Sequence, residues 1–221
     1  MDYLVLDLEM CKVPKNYRRK DYQYATEIIQ IGAVLLNESY EQIDTFREYV
    51  HPEYGVLDYF ITSLTGIDGR QVKNASRLNE VLEHLLTWIG EREYCVFAWS
   101  DTDYLQLRHE TESKRLWEGS VQQFLQAEHW VDYQDVFGKR YNLGRAVGLE
   151  EALMLCDIEA DGRMHDGLDD ALNTAKIIAK LEQNPDYELL YRERENEVET
   201  EPLKTSLGDL FAGLNLNLKE E

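Results

Sequence analysis

The opening stretch, MDYLVLDLEM, constrains the fold more than any other part of this 221-residue chain. Tyr3 to Leu8 is β-prone and apolar enough to be a central strand, yet Asp7 and Glu9 stand at its end. Residues two apart in a strand point to the same face. Two carboxylates on one face of a buried strand repel each other and are costly to desolvate. Either the strand ends in solvent at this point, or its acidic face looks onto a cation that removes both penalties. Asp-x-Glu alone does not choose between the two.

The segments that follow give this strand its setting. Lys12 to Tyr24 is polar and basic, with Lys15, Arg18, Arg19 and Lys20, and reads as a loop that is either solvated or in contact with phosphate. IIQIGAVLL (Ile28 to Leu36) is a buried strand, Asn37 to Gln42 a turn, and Ile43 to Val50 an alternating third strand, so the chain opens as an antiparallel meander. VLDYFITSLTGI has helical spacing and is closed by Gly66. Ala75 to Gly90 is an amphipathic helix and Tyr94 to Ala98 a short strand. Asp101 to Trp117 reads as a helix, Val131 to Phe137 as a weak strand or extended loop, and Leu143 to Leu155 as a helix. His165 opens a loop that becomes a helix through Leu181. After Asn184-Pro185 the composition shifts to alternating glutamates, Glu193 to Glu201, then to Leu203, Leu207, Leu210, Phe211 and Leu214 at helical spacing. The expected organisation is therefore one domain over residues 1–184 and an acidic tail over 185–221, with an amphipathic helix that could dock on a protein partner.

Composition narrows the class. An apolar share of 43% supports a globular domain. No apolar run approaches the roughly 18 to 20 residues needed to span a bilayer. The N-terminus lacks a basic region and a long apolar stretch, so it reads as a strand and not as a signal peptide. The three cysteines, Cys11, Cys95 and Cys156, fit no zinc pattern, and an odd number argues against a disulfide framework. A reducing cytoplasm is the expected setting, with Cys95 and Cys156 in the core. A net charge of −20 opposes non-specific gripping of long nucleic acids, but not the capture of a strand end through bound cations.

Two further acidic elements complete the pattern. In SDTDYLQL, Asp101 and Asp103 lie near a helix start, where one serves as N-cap and the other can project into a site. In MHDGLDDALNTAKII, Asp170 lies in the first turns of a helix, where the dipole favours an anion, and His165 precedes it on the loop. Oxygen ligands of this kind suit magnesium or manganese. Two such ions about 4 Å apart activate water and stabilise a leaving oxygen in phosphodiester cleavage. A histidine that titrates near neutrality can take the proton from the attacking water.

Asp-x-Glu, then Asp, then His-x-x-x-x-Asp resembles the DEDDh exonuclease superfamily. DLEMC resembles its first motif, EIIQIGAVLL its second strand, and LTGI (Leu64 to Ile67) its turn beside the terminal nucleotide. DGRMHDGLDDALNTAKII resembles the third motif of the histone-mRNA and RNAi-regulating 3′ exonuclease branch, to which the bacterial KapD-type proteins belong. The resemblance covers about residues 2 to 182. It implies an α/β, ribonuclease H-like fold, a mixed five-stranded sheet flanked by helices. It implies two Mg2+ or Mn2+ ions on Asp7, Glu9, Asp103 and Asp170, with His165 as general base and Glu9 also in the catalytic set. It places Met10, Leu64 and Thr65 against the terminal nucleotide and leaves Asp169 as a bystander. Thr102 stands where the family often has an aromatic residue, so Asp101 stays open as the alternative to Asp103. The implied activity is release of 5′-mononucleotides from the 3′ end of single-stranded nucleic acid, with RNA favoured. A DNA proofreading-type exonuclease and a non-catalytic scaffold of the same fold are the rivals.

Overall fold

A computed structural model of the chain describes residues 1–17 and 22–190. Its centre is a five-stranded sheet of β1 (Asp2–Lys12), β2 (Thr26–Leu36), β3 (Gln42–Tyr49), β4 (Tyr94–Ala98) and β5 (Trp130–Asp132), in the order β3-β2-β1-β4-β5. The first three strands pair antiparallel, whereas β1–β4 and β4–β5 pair parallel. This is the mixed sheet that the resemblance implies.

The strand period of two divides the molecule into layers. Leu4, Leu6 and Leu8 of β1 face a core that includes Leu78, Val81, Leu82, Leu85 and Ile89 of the amphipathic helix α3 (Leu78–Ile89). Val5 of β1 joins Val34 and Leu36 of β2 on the opposite face, under Ala171, Ile177 and Ile178 of the last helix, α8 (Gly167–Gln183). By the same alternation, Asp7 and Glu9 lie on the α8 side. The apolar half of β1 fixes the strand and the other half presents carboxylates.

Among the described residues, the remaining α-helices are α1 (Tyr59–Thr65), α2 (Gly69–Lys73), α4 (Asp101–Ser113), α5 (Gly119–Phe124), α6 (Tyr133–Arg140) and α7 (Leu149–Leu155). Helix α1 is capped by Asp58, whose Oδ1 accepts the Ile61 N–H at 2.9 Å, and closes at Gly66 with φ 76°. No helix among the described residues is long and apolar enough to cross a membrane.

Several expectations are corrected. The helix expected from Asp101 to Trp117 stops at Ser113, and Arg115 turns to φ 58°. Its N-cap is Ser100, not Asp101 or Asp103. The segment expected as extended from Val131 to Phe137 is strand only through Asp132; that residue caps α6, its Oδ1 accepting the Asp135 N–H at 3.0 Å. The helix expected from Leu143 begins only at Leu149, because Gly144 adopts φ 63° and Gly148 is extended. Cys95 is half-buried and not a core residue, its Sγ donating to the His129 carbonyl at 3.3 Å. Arg18, Arg19 and Lys20 of the basic loop lie outside the described residues, as do the acidic stretch from Glu193 and the apolar positions Leu203 to Leu214. The chain still packs on the domain after Asn184. Tyr187 donates its hydroxyl to the Cys156 carbonyl at 2.8 Å, and Leu190 its N–H to the Leu155 carbonyl at 2.8 Å.

Candidate active site

Three elements bring the acidic side chains together. Asp7 pairs across the sheet with Gly32, and Glu9 with Gln30. Gly32 lets the start of α8 settle on the strand: a Cβ there would lie 2.1 Å from the Gly167 carbonyl carbon. That contact sets α8 close enough for Asp170, in its first turn, to reach the acidic face of β1. The sheet holds the same end of α8 through Gln30, whose Oε1 accepts the Gly167 N–H at 2.7 Å. Asp166 caps the helix, its Oδ1 accepting the Leu168 N–H at 3.2 Å, and its other oxygen receives Gln30 Nε2 at 3.3 Å and the Arg47 guanidinium.

Asp103 arrives from α4. Pairing between β1 and β4 ends at Val5–Phe97, so the edge of β1 beyond it has free backbone groups. Asp103 Oδ1 accepts the Leu8 N–H at 3.1 Å, between the two acidic residues of β1. Asp103 is 6% exposed, whereas Asp101 is exposed. The two aspartates thus separate cleanly, and Asp103 is the one that enters the cluster.

Electrostatics registers the crowding. Burial, and then Asp103, Asp170, Glu9 and Asp166, push the Asp7 carboxyl well above its usual value. Burial together with Asp170, Asp166 and Asp103 raises Glu9 to about 8. Burial raises Asp103 to about 7 against the Leu8 N–H, which lowers it. Burial raises Asp170 to about 6, opposed by the His165 N–H. A carboxyl with a raised pKa resists ionisation, and positive charge at the site favours its ionised form again. Asp170 is 6% exposed; its Oδ2 accepts the His165 N–H at 2.9 Å, while its buried Oδ1 has no partner. An orphaned carboxylate oxygen among carboxylates is costly unless a cation takes it. Ligand atoms of Glu9, His165 and Asp170 lie within 4.8 Å of one another. The donor set is oxygen-rich with a single imidazole, which fits a hard divalent cation.

The chain matches the Exonuclease family (RNase_T) over residues 4–178. It belongs to that family. The match spans the sheet from Leu4 of β1 onward and α8 up to Ile178. Among curated relatives, the chain is 34% identical over 187 residues to ERI1 exoribonuclease 2 of Xenopus laevis, covering 73% of this chain and 26% of the relative. It is 32% identical over 174 residues to 3'-5' exoribonuclease 1 of Rattus norvegicus, covering 73% and 48%. It therefore spans about a quarter to a half of the length of these relatives. Among solved structures, it resembles the nuclease domain of 3'hExo, a DEDDh family member, bound to rAMP. That likeness has a TM-score of 0.68 at 26% identity and covers 86% of this chain and 96% of the other. These relatives place the chain in the DEDDh 3′ exonuclease branch, with a ribonuclease H-like fold.

The positions expected to contact the terminal nucleotide have distinct surroundings in the structure. Met10 is half-buried against the α3 core. Leu64 is half-buried at the end of α1. The Thr65 hydroxyl is engaged within α1, donating to the Ile61 carbonyl at 2.9 Å and accepting the Ile67 N–H at 3.0 Å. Cys11 is fully buried, and burial with Glu27 and Glu110 pushes its thiol up to about 12, which removes it as a nucleophile. Sequence reasoning missed Asp166, Gln30, Arg47 and Arg163. Two of these left a trace: Asp166 stands at the N-cap of a helix, and Gln30 is a polar residue inside an otherwise apolar strand.

Proposed function

We propose that this chain is a divalent-metal-dependent 3′→5′ exonuclease acting on the 3′ end of RNA and releasing 5′-mononucleotides. One observation carries the reading: Asp7, Glu9, Asp103 and Asp170 crowd together at the end of β1, each with its pKa raised, and Asp170 has an oxygen without a partner. These four carboxylates would hold two Mg2+ or Mn2+ ions, which when bound acidify water and neutralise charge on the phosphate and leaving oxygen. The protein's own contribution is alignment. Leu8 and His165 N–H groups fix Asp103 and Asp170, and the Gly32–Gly167 contact fixes α8 against β1. His165 is exposed on the loop before α8, where its imidazole can accept a proton from an attacking water. RNA as substrate draws its support from the relatives, named as exoribonucleases, and from the ribonucleotide in the related solved structure. The charge of −20 suits a strand end better than a long duplex. A cytoplasmic setting is part of the same proposal and rests on the three free thiols.

RNA oligomers labelled at either end test this. The 3′ label should appear at once as mononucleotide, and the 5′ label should stay on progressively shorter products. EDTA should stop both, and excess Mn2+ should restore them. Internal cleavage or activity in EDTA would overturn the proposal, and a DNA oligomer run alongside decides the sugar preference.

His165→Ala should lower kcat by about 10²–10⁴-fold, the usual worth of a general base. Because His165 also lies within ligand distance of Glu9 and Asp170, manganese affinity must be measured in parallel. Unchanged affinity with reduced kcat marks a base, and affinity lost together with kcat marks a ligand. Near-wild-type kcat would remove His165 from the mechanism.

A further inference from the structure

The loop that carries His165 is fastened to α1 by a side chain that the mechanism above does not use. Arg163 Nη2 donates to the Ser63 carbonyl at 2.6 Å and to the Leu64 carbonyl at 3.3 Å. These belong to the last turn of α1, where carbonyls lack intrahelical partners and the dipole favours a cation. Gly66 makes room for the guanidinium, since a Cβ there would lie 2.3 Å from Arg163 Nη1. The backbone of Arg163 is held as well, its N–H donating to Asp169 Oδ2 at 2.8 Å. Gly162 leaves the space for that carboxylate: a Cβ at Gly162 would lie 2.3 Å from Asp169 Cγ. Arg163 is thus clamped through main chain and side chain, two residues before the histidine.

The histidine needs such support. His165 adopts φ 63°, a conformation uncommon for any residue but glycine. Backbone of this kind persists where the surroundings over-determine it. On the far side of His165, Asp166 is tied to Gln30 and Arg47. His165 is exposed, so what holds this position is its backbone, whose N–H donates to Asp170 Oδ2 at 2.9 Å, and its neighbours in the loop.

We propose that Arg163 and Asp169 form a latch that positions His165 and ties it to α1, the segment expected beside the terminal nucleotide. Arg163 is then a positioning residue, and Asp169 supports the loop and is not a bystander. The proposal rests on the reading of His165 as general base.

The test is a set of double-mutant cycles. Arg163→Ala, Arg163→Lys and Asp169→Ala are made in the full chain, each with His165 intact and with His165→Ala. Single-turnover rates and KM are measured on a short RNA oligomer at saturating Mn2+, with melting temperatures alongside. With His165 intact, Arg163→Ala and Asp169→Ala should each lower the rate about 10–100-fold, the usual cost of losing a supporting partner. Arg163→Lys should recover part of the loss, because an ammonium can still donate to a carbonyl of α1. In the His165→Ala background neither alanine variant should cost anything further, because the group they position is gone. Equal losses in both backgrounds would overturn the latch, since a merely structural role predicts that result. So would full activity in both Arg163→Ala and Asp169→Ala while His165→Ala is impaired, an outcome that leaves the base reading standing. Full activity in His165→Ala removes the base reading and the latch together. Should Arg163→Ala fail to fold, Asp169→Ala carries the same comparison.

Discussion

Asp170→Asn should nearly abolish turnover and at the same time raise the melting temperature of the metal-free protein. The first effect follows from the loss of a proposed metal ligand. Cation stabilisation of developing charge is worth several kcal/mol, and about 4 kcal/mol corresponds to about 10³-fold in rate. The second follows from the crowding. Asp170 is the largest charge contribution to the raised Glu9 carboxyl and acts on Asp7 and Asp103 as well. An asparagine keeps the shape, can still accept the His165 N–H, and can turn an amide N–H toward neighbouring carboxylates. Relief of one unit at a neighbour is about 1.4 kcal/mol, which in a domain of this size is roughly 3–6 °C. A variant that loses activity and melts lower in EDTA would show that Asp170 holds the fold and not a cation.

The same crowding fixes the pH dependence of the metal-free protein. Glu9, Asp103 and Asp170 have folded values of about 8, 7 and 6, all above their usual values near 4. Folded protein therefore binds more protons than unfolded protein across that interval, and stability falls as pH rises through it. The contribution of these groups is greatest below the ordinary carboxylate range and is lost by about pH 8. Mn2+ binds the ionised forms, so adding it should flatten or reverse the slope in this window.

Lys114→Met should cost about 3–5 kcal/mol of stability without lowering kcat in the protein that remains folded. Lys114 is the cation of a second buried cluster, none of whose carboxylates is among the four candidate ligands. Its Nζ lies 2.7 Å from Glu27 Oε1, 2.9 Å from Glu110 Oε1 and 3.5 Å from Glu53 Oε1. Lys114 is 6% exposed at its side chain, and Glu27 and Glu110 are fully buried. Burial opposes the ammonium, but Glu110 and Glu27 hold it above its usual value. The carboxylates are committed elsewhere too. Glu27 accepts the N–H groups of Glu53, Tyr54 and Gly55 at 2.7, 2.7 and 2.5 Å, and Glu110 accepts the Ile28 N–H at 2.9 Å. Removing the lysine leaves buried negative charge without a counter-ion, the costly way to break such a cluster. Denaturant unfolding measures the effect. A loss under about 1 kcal/mol would mean that water reaches the cluster and screens it.

The sheet was readable because strands announce themselves locally. MDYLVLDLEM and IIQIGAVLL carry enough apolar, β-prone residues to be strands in any compact setting, and a turn between Leu36 and Gln42 makes their antiparallel order the simplest one. Helices whose stripe is regular, such as Leu78 to Ile89, were equally plain, whereas α6 was hidden because its apolar positions are few and its cap, Asp132, ends a strand.

The sequence by itself determined that Asp7 and Glu9 share a strand face and that Asp170 opens a helix with His165 five residues before it, since both follow from local periodicity. Only the tertiary structure decided the rest. It chose Asp103 over Asp101, because the Leu8 N–H, 95 residues away in sequence, is left free where β4 stops pairing. It set Gln30 against Asp166 and Gly167 across 136 and 137 residues, and Arg163 against α1 across 99 and 100. Local periodicity fixes which face a side chain takes within its own element. Which face of another element it meets depends on strand order and on close approaches such as Gly32 on Gly167, which no local pattern encodes.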